Sequence, residues 1–116
     1  MSLPYIGTTK LIESYSYYDQ PVLFSCKNEH GHIFMAVCSE EADDREIWLY
    51  VGLSPRRFEI VHKGGIDLFE TFASPEDNFI YRVEEFFADI PPVVSKTPKE
   101  LILLESLPAK GEFLGS

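Results

Sequence analysis

The stretch Val22-Leu23-Phe24-Ser25-Cys26-Lys27, followed by Asn28-Glu29-His30-Gly31 and then His32-Ile33-Phe34-Met35-Ala36-Val37-Cys38-Ser39, decides the fold class. Two runs rich in apolar and β-favouring residues flank a cluster of turn formers, the pattern of an antiparallel hairpin. With Asn28 to Gly31 as the loop, Lys27 opposes His32. Phe24 then faces Met35, Val22 faces Val37 and Cys26 faces Ile33, so these residues share one sheet face as a core. The opposite face carries Leu23, Ser25, Phe34, Ala36 and Cys38, joined by Trp48 and Tyr50 of the next strand. That second face is more apolar than a solvated one should be, so either helices or a partner must cover it. In this register Cys26 and Cys38 lie roughly 16 Å apart at the usual strand rise. That is beyond disulfide reach.

Working outward, residues 10–18 read as a strand that ends at Asp19-Gln20-Pro21, and residues 46–53 as another, with Ile47, Leu49 and Val51 on one side. The acidic residues Glu40, Glu41, Asp43, Asp44 and Glu46 sit on and beside the loop between the strand 32–39 and the strand 46–53. The bland reading of that loop is a solvated turn that discourages edge-to-edge aggregation; a second is a surface for a basic partner. Ser54 is a good N-cap, Pro55 fits the first helical position, Leu53 and Phe58 can form a hydrophobic staple, and Gly64-Gly65 supplies a stop. A helix is therefore expected over residues 55–63. A second short helix is expected over 66–73 and a strand over 78–85. Pro91-Pro92 breaks the chain. Residues 98–107 combine a capping-box signature with the run Leu101-Ile102-Leu103-Leu104, which reads as helix or as buried strand, and strand is preferred. The expected fold is α+β: an antiparallel meander of about four to five strands with one firm helix and one short one, in a single domain over 1–108 with a loose tail over 109–116.

The chain has 116 residues with 45% hydrophobic and 25% charged residues, a globular composition for one domain. Its net charge of −9 argues against a general nucleic-acid binder, because neutralising phosphates supplies most of that affinity. The N-terminus lacks the basic stretch and apolar core of an export signal, and no apolar run approaches a membrane span. Reduced thiols and a cytoplasmic setting are expected.

Few residues carry recognisable chemistry. Cys26, His30, His32 and Cys38 match no zinc-site spacing, and no cofactor is expected. A Cys–His nucleophilic pair needs an exposed, activated thiolate, whereas Cys26 reads as an inert core thiol. No nucleophile elbow, phosphate loop or metalloprotease motif is present, so no catalytic residue is assigned. His62 with Asp67 and Glu70 could form an acid–base set only if the fold brought them together. His62 fits better as a cation in the last turn of its helix. Arg56 and Arg57 occupy the first turn of that helix, where the dipole disfavours cations; with the helix N-terminus they form a candidate anion site for a phosphate, a nucleotide, a carboxylate or an acidic neighbouring loop. Tyr15, Tyr17, Phe34, Trp48 and Tyr50 are candidate interface residues, because aromatic side chains combine large area with polar tips. The leading functional expectation is a non-enzymatic protein-interaction or accessory module, with a protein partner or self-association as a homodimer. A small anion- or nucleotide-responsive domain is the alternative, and neither nucleic acid nor membrane is expected as a partner.

The sequence Tyr17-Tyr18-Asp19-Gln20-Pro21-Val22-Leu23-Phe24, then the hairpin, then Trp48-Leu49-Tyr50-Val51, Ser54 and Gly65-Ile66-Asp67-Leu68, resembles a bacterial family of uncharacterised small domains. That resemblance spans about residues 9–85. It implies a bacterial or phage-related cytoplasmic protein and supplies no activity or catalytic residue.

Overall fold

The computed structural model describes residues 2–17 and 20–114. Along the chain come β1 (Ser2–Leu3), β2 (Gly7–Tyr17), β3 (Gln20–Asn28), β4 (Ile33–Glu41), β5 (Arg45–Leu53), α1 (Pro55–His62), α2 (Leu68–Ala73), β6 (Phe79–Phe86) and β7 (Val93–Pro98). Each strand pairs antiparallel with the next. The result is a meander of six long strands, β2 to β7, with the very short β1 beside β2. The α+β class is as expected; the sheet has more strands than the expected four to five.

The hairpin forms, but one residue out of the expected register. Leu23 faces Val37, Phe24 faces Ala36, Ser25 faces Met35 and Cys26 faces Phe34. The cause is the Asn28 side chain. Its Oδ1 accepts from the backbone N–H of His30 at 3.0 Å and of His32 at 2.9 Å. The Asn28 N–H donates to the His32 carbonyl at 2.9 Å, and the Gly31 N–H donates to the Asn28 carbonyl at 3.0 Å. Asn28 thus belongs to the strand and pairs with His32, leaving Glu29, His30 and Gly31 as the loop. Gly31 takes φ +83°, the left-handed position that closes such loops.

Because side chains alternate, this offset moves Leu23, Phe24, Ser25 and Cys26 each to the face opposite the expected one. Leu23, with Met35, Val37, Leu49 and Val51, faces the helices, where Val61 of α1 and Leu68 and Phe72 of α2 complete the first core. Phe24 and Cys26 join Phe34, Ala36, Trp48 and Tyr50 on the second face, rather than Leu23 and Ser25. Part of that face is covered from within the chain: Leu3 and Ile6 pack on it, and the Tyr5 ring lies 6.2 Å from that of Tyr81 on β6. The Asn28 Nδ2 donates to the Ile6 carbonyl at 2.8 Å and fastens this covering segment to the hairpin. Cys26 and Cys38 are both free thiols, on β3 and β4 respectively.

The helices follow their caps. Ser54 Oγ accepts from the Arg57 N–H at 3.1 Å, and Gly64 at φ +80° ends α1. Helix α2 begins at Leu68 rather than 66, because Asp67 is its N-cap and accepts from the Glu70 N–H at 2.7 Å. The expected buried strand over 98–107 is replaced by 3-10 turns at Lys99–Leu101 and Leu104–Ser106. The ladder stops at Pro98, which faces Phe79, the first residue of β6, so the chain beyond has no strand to pair with. The strand in this region is β7, immediately after Pro91-Pro92. The segment expected as a loose tail is docked: the Glu112 carbonyl accepts from the Leu68 N–H at 2.7 Å, and Leu114 is buried in the first core.

Removing the Asn28 side chain takes away the partner that it gives the N–H groups of His30 and His32 and the Ile6 carbonyl. Asn28→Ala is expected to cost about 2–3 kcal/mol, a fall of about 10 °C in midpoint by scanning calorimetry. Asn28→Asp, which keeps the acceptor and loses the donor, should lie in between.

Candidate functional site

A cleft of about 440 Å³ opens at the hairpin end of the sheet, lined by Tyr5, His32, Phe34, Gly52, Ser54, Asp77 and Tyr81 among others. Each element supplies part of it: the turn after β1 gives Tyr5, the β3–β4 loop gives His32, the end of β5 gives Gly52, and the start of β6 gives Tyr81. The Asp77 carboxylate accepts from the Phe79 N–H at 3.1 Å and from the Tyr81 hydroxyl at 3.3 Å. Burial, then the Asp77 charge, raise the Tyr81 phenol above its ordinary range, so it stays a neutral donor.

The arginine pair diverges. Arg57 Nη2 donates to the carbonyls of Ser74 at 2.8 Å and Glu70 at 3.3 Å, tying α1 to the C-terminal end of α2. Arg56 is exposed. At the N-terminus of α1 the Ser54 N–H already donates to Glu76 Oε1 at 2.8 Å. A carboxylate from the chain itself therefore meets the helix end, the satisfaction such a terminus requires.

The opposite end of the sheet is acidic. Cross-strand pairing sets Glu41 beside Glu46 and Glu46 beside Glu85. Cys38 joins them: ligand atoms of Cys38, Glu41 and Glu46 lie within 4.8 Å of one another, and among the described residues these are the ones whose donors converge enough to hold a metal ion. The Cys38 thiol is raised by burial first and also by Glu46, Glu41 and Glu85, so it is a poor thiolate at neutral pH. Arg45 is engaged by Asp44 at 3.8 Å and Glu84 at 3.4 Å. The Phe87 N–H donates to the Asp44 carbonyl at 3.0 Å, which brings the β6–β7 loop against the acidic β4–β5 loop. That loop exposes Phe87 by 63% and Ile90 by 53%, and Val93 beside it is also exposed.

Of the aromatic candidates, Tyr15, Phe34 and Tyr50 are buried within the chain, and Tyr15 shares a 2.9 Å hydrogen bond with Ser25. Their area is already committed to the two cores. Trp48 is half-buried, its ring 5.3 Å from that of Phe24. The side chain of Tyr17 lies outside the described residues, as do Tyr18 and Asp19. The exposed apolar residues on the β6–β7 loop were missed because no periodicity marks a loop. Cys26 is buried and its thiol is pushed up to about 11, an inert group. His62 lies 3.7 Å from Glu13 of β2, whereas Asp67 is engaged by the N–H groups of Glu70 and Gly111, so no acid–base set forms among them.

An antiparallel α+β domain with an aromatic, carboxylate-bearing cleft at one end of its sheet and an acidic, partly apolar surface at the other is the class these features define. The chain belongs to DUF6575, a family of unknown function, whose model matches residues 1–116. No curated protein and no solved structure matches it. Among the described residues no helix is long and apolar enough to cross a membrane.

The acidic row has a pH signature. Burial, then Glu46, raise the Glu85 carboxyl. A carboxyl raised on folding favours the folded state fully below the ordinary glutamate value near 4.3. That contribution is lost as the pH rises through the folded value. Glu85→Gln is therefore expected to raise the melting midpoint by about 2 °C at neutral pH and to leave it unchanged near pH 3, read by calorimetry across pH.

Proposed function

We propose that this protein is a non-enzymatic protein-interaction module whose partner is a basic segment with apolar anchors, docking on the acidic end of the sheet. The carrying observation is that exposed Phe87, Ile90 and Val93 lie on and beside the β6–β7 loop, which the Phe87–Asp44 backbone hydrogen bond holds against the acidic β4–β5 loop and which itself carries exposed Asp89. Exposed apolar area supplies binding energy at about 25 cal/mol per Å². Like-signed charge around it speeds encounter with an opposite partner and rejects others. The same charge repels a second copy of this surface, which favours a different protein over self-association there. The inert Cys26, and His62 held apart from Asp67, support a non-enzymatic reading. The alternative, an anion- or nucleotide-responsive site at Ser54 to Arg57, draws less support, because Glu76 and the α2 carbonyls already take the donors of Ser54 and Arg57.

Selection of displayed random peptides on the intact protein tests this reading. Enriched peptides should place Lys or Arg around an aromatic or aliphatic anchor. Their binding should weaken at least tenfold between about 50 and about 300 mM salt. It should also be lost in Phe87→Ser/Ile90→Ser, whose substitutions are exposed and spare the cores. Enrichment of acidic or uncharged peptides, or binding that survives the double substitution, contradicts it.

A further inference from the structure

We propose that the cleft between Tyr5 and Tyr81 is a binding site for a guanidinium group, held by ring stacking and by the Asp77 carboxylate. Three observations converge there, none of them part of the acidic surface described above. The first is Gly52. It lies in extended β5, where glycine is a destabilising choice that often marks a close approach by a ligand or a backbone. Nothing in the fold demands it: a Cβ at this position would meet Phe34 Cε1 at 3.7 Å, an ordinary contact, and its φ is not positive. What the missing side chain does is leave the floor of the cleft open.

The second is Tyr5, which holds φ +64°, the left-handed region that a bulky residue rarely adopts. Burial does not compensate, because the residue is 67% exposed. Its ring stands at the rim, 6.2 Å from the Tyr81 ring and tilted 30° to it, and the Phe34 ring meets Tyr81 edge-on at 6.2 Å. The third is Asp77. Both its oxygens are oriented by hydrogen bonds to Phe79 and Tyr81, yet among the described residues it has no basic partner. Lys96, on the strand paired with β6, stands instead over the Phe79 ring at 4.5 Å.

An oriented carboxylate without a cation, beside aromatic rings, on a chain of net charge −9, selects a cation. A guanidinium suits this arrangement better than an ammonium. It is planar, stacks on aromatic faces and presents a fork of donors to a carboxylate. Asp77 is the one carboxylate among the residues that line the cleft, and His32 also lines it.

The test is an amide-resolved NMR titration of the intact chain with N-acetyl-arginine amide, and in parallel with N-acetyl-citrulline amide, which has the same shape and no charge. Saturable shifts are expected at Tyr5, His32, Gly52 and Tyr81 with the arginine compound. The citrulline compound should bind at least tenfold more weakly. Tyr5→Ala and Asp77→Asn, both at exposed positions, should each weaken binding about tenfold, and Gly52→Val should abolish it while the spectrum stays dispersed. Free arginine and the peptide Gly-Arg-Gly form a further pair of arms: tighter binding of one tells whether the natural source is a small molecule or a side chain. Equal binding of citrulline, no saturable shift up to about 20 mM, or shifts confined to the acidic loops would overturn the proposal.

Discussion

The Asn28 side chain is the interaction on which the rest depends. By accepting from the N–H groups of His30 and His32 it draws its own residue into β3 and sets the β3–β4 pairing. By donating to the Ile6 carbonyl it also anchors the segment that covers the second face. A sheet with two apolar faces is stable in water only if both are covered. Here the helices cover one, and a short N-terminal segment with Leu3 and Ile6 covers part of the other. A one-residue slip would move Leu23 away from the helices and Phe24 toward them, undoing both cores at once.

Much of the fold was legible where a local rule decides the structure. Ser54-Pro55 and Gly64 mark α1 because capping and glycine conformations are local. Asp67 followed by Glu70 was an equally local signature of where α2 begins. The hairpin was legible in type, but its register was not. Register depended on whether Asn28 belonged to the loop or to the strand, and a side-chain hydrogen bond settled that. The run Leu101 to Leu104 misled for another reason. Apolar content alone does not make a strand, and β6 begins too late to offer these residues a partner. Leu101 and Leu104 lie in 3-10 turns with Ile102 and Leu103 extended between them, and Leu101, Leu103 and Leu104 are exposed.

The surface features were less legible than the fold. The acidic loop could be read directly, and so could its suitability for a basic partner. The apolar residues that join it come from the β6–β7 loop, brought there by strand pairing. Arg57 is spent on carbonyls of α2, a contact between helices that no motif announces. The cleft gathers Tyr5, His32, Gly52 and Asp77 from four separate parts of the chain. The signals that could have found it were Gly52 inside an otherwise bulky strand and Tyr5 after Pro4 in a tight turn, each a local choice that the fold does not require. Membership in DUF6575 supplies no role for either surface.

The most direct measurement is the set of cross-strand Hα–Hα contacts in the β3–β4 hairpin by NMR. Since Asn28 and His32 are joined by a backbone hydrogen bond, pairs alternate from there, and the closely approaching α-carbons belong to the non-hydrogen-bonded pairs. Contacts are expected between Lys27 and Ile33, Ser25 and Met35, and Leu23 and Val37. Contacts between Cys26 and Ile33 and between Phe24 and Met35 would place Asn28 in the loop, and would contradict both the division into two cores and the control of register by its side chain.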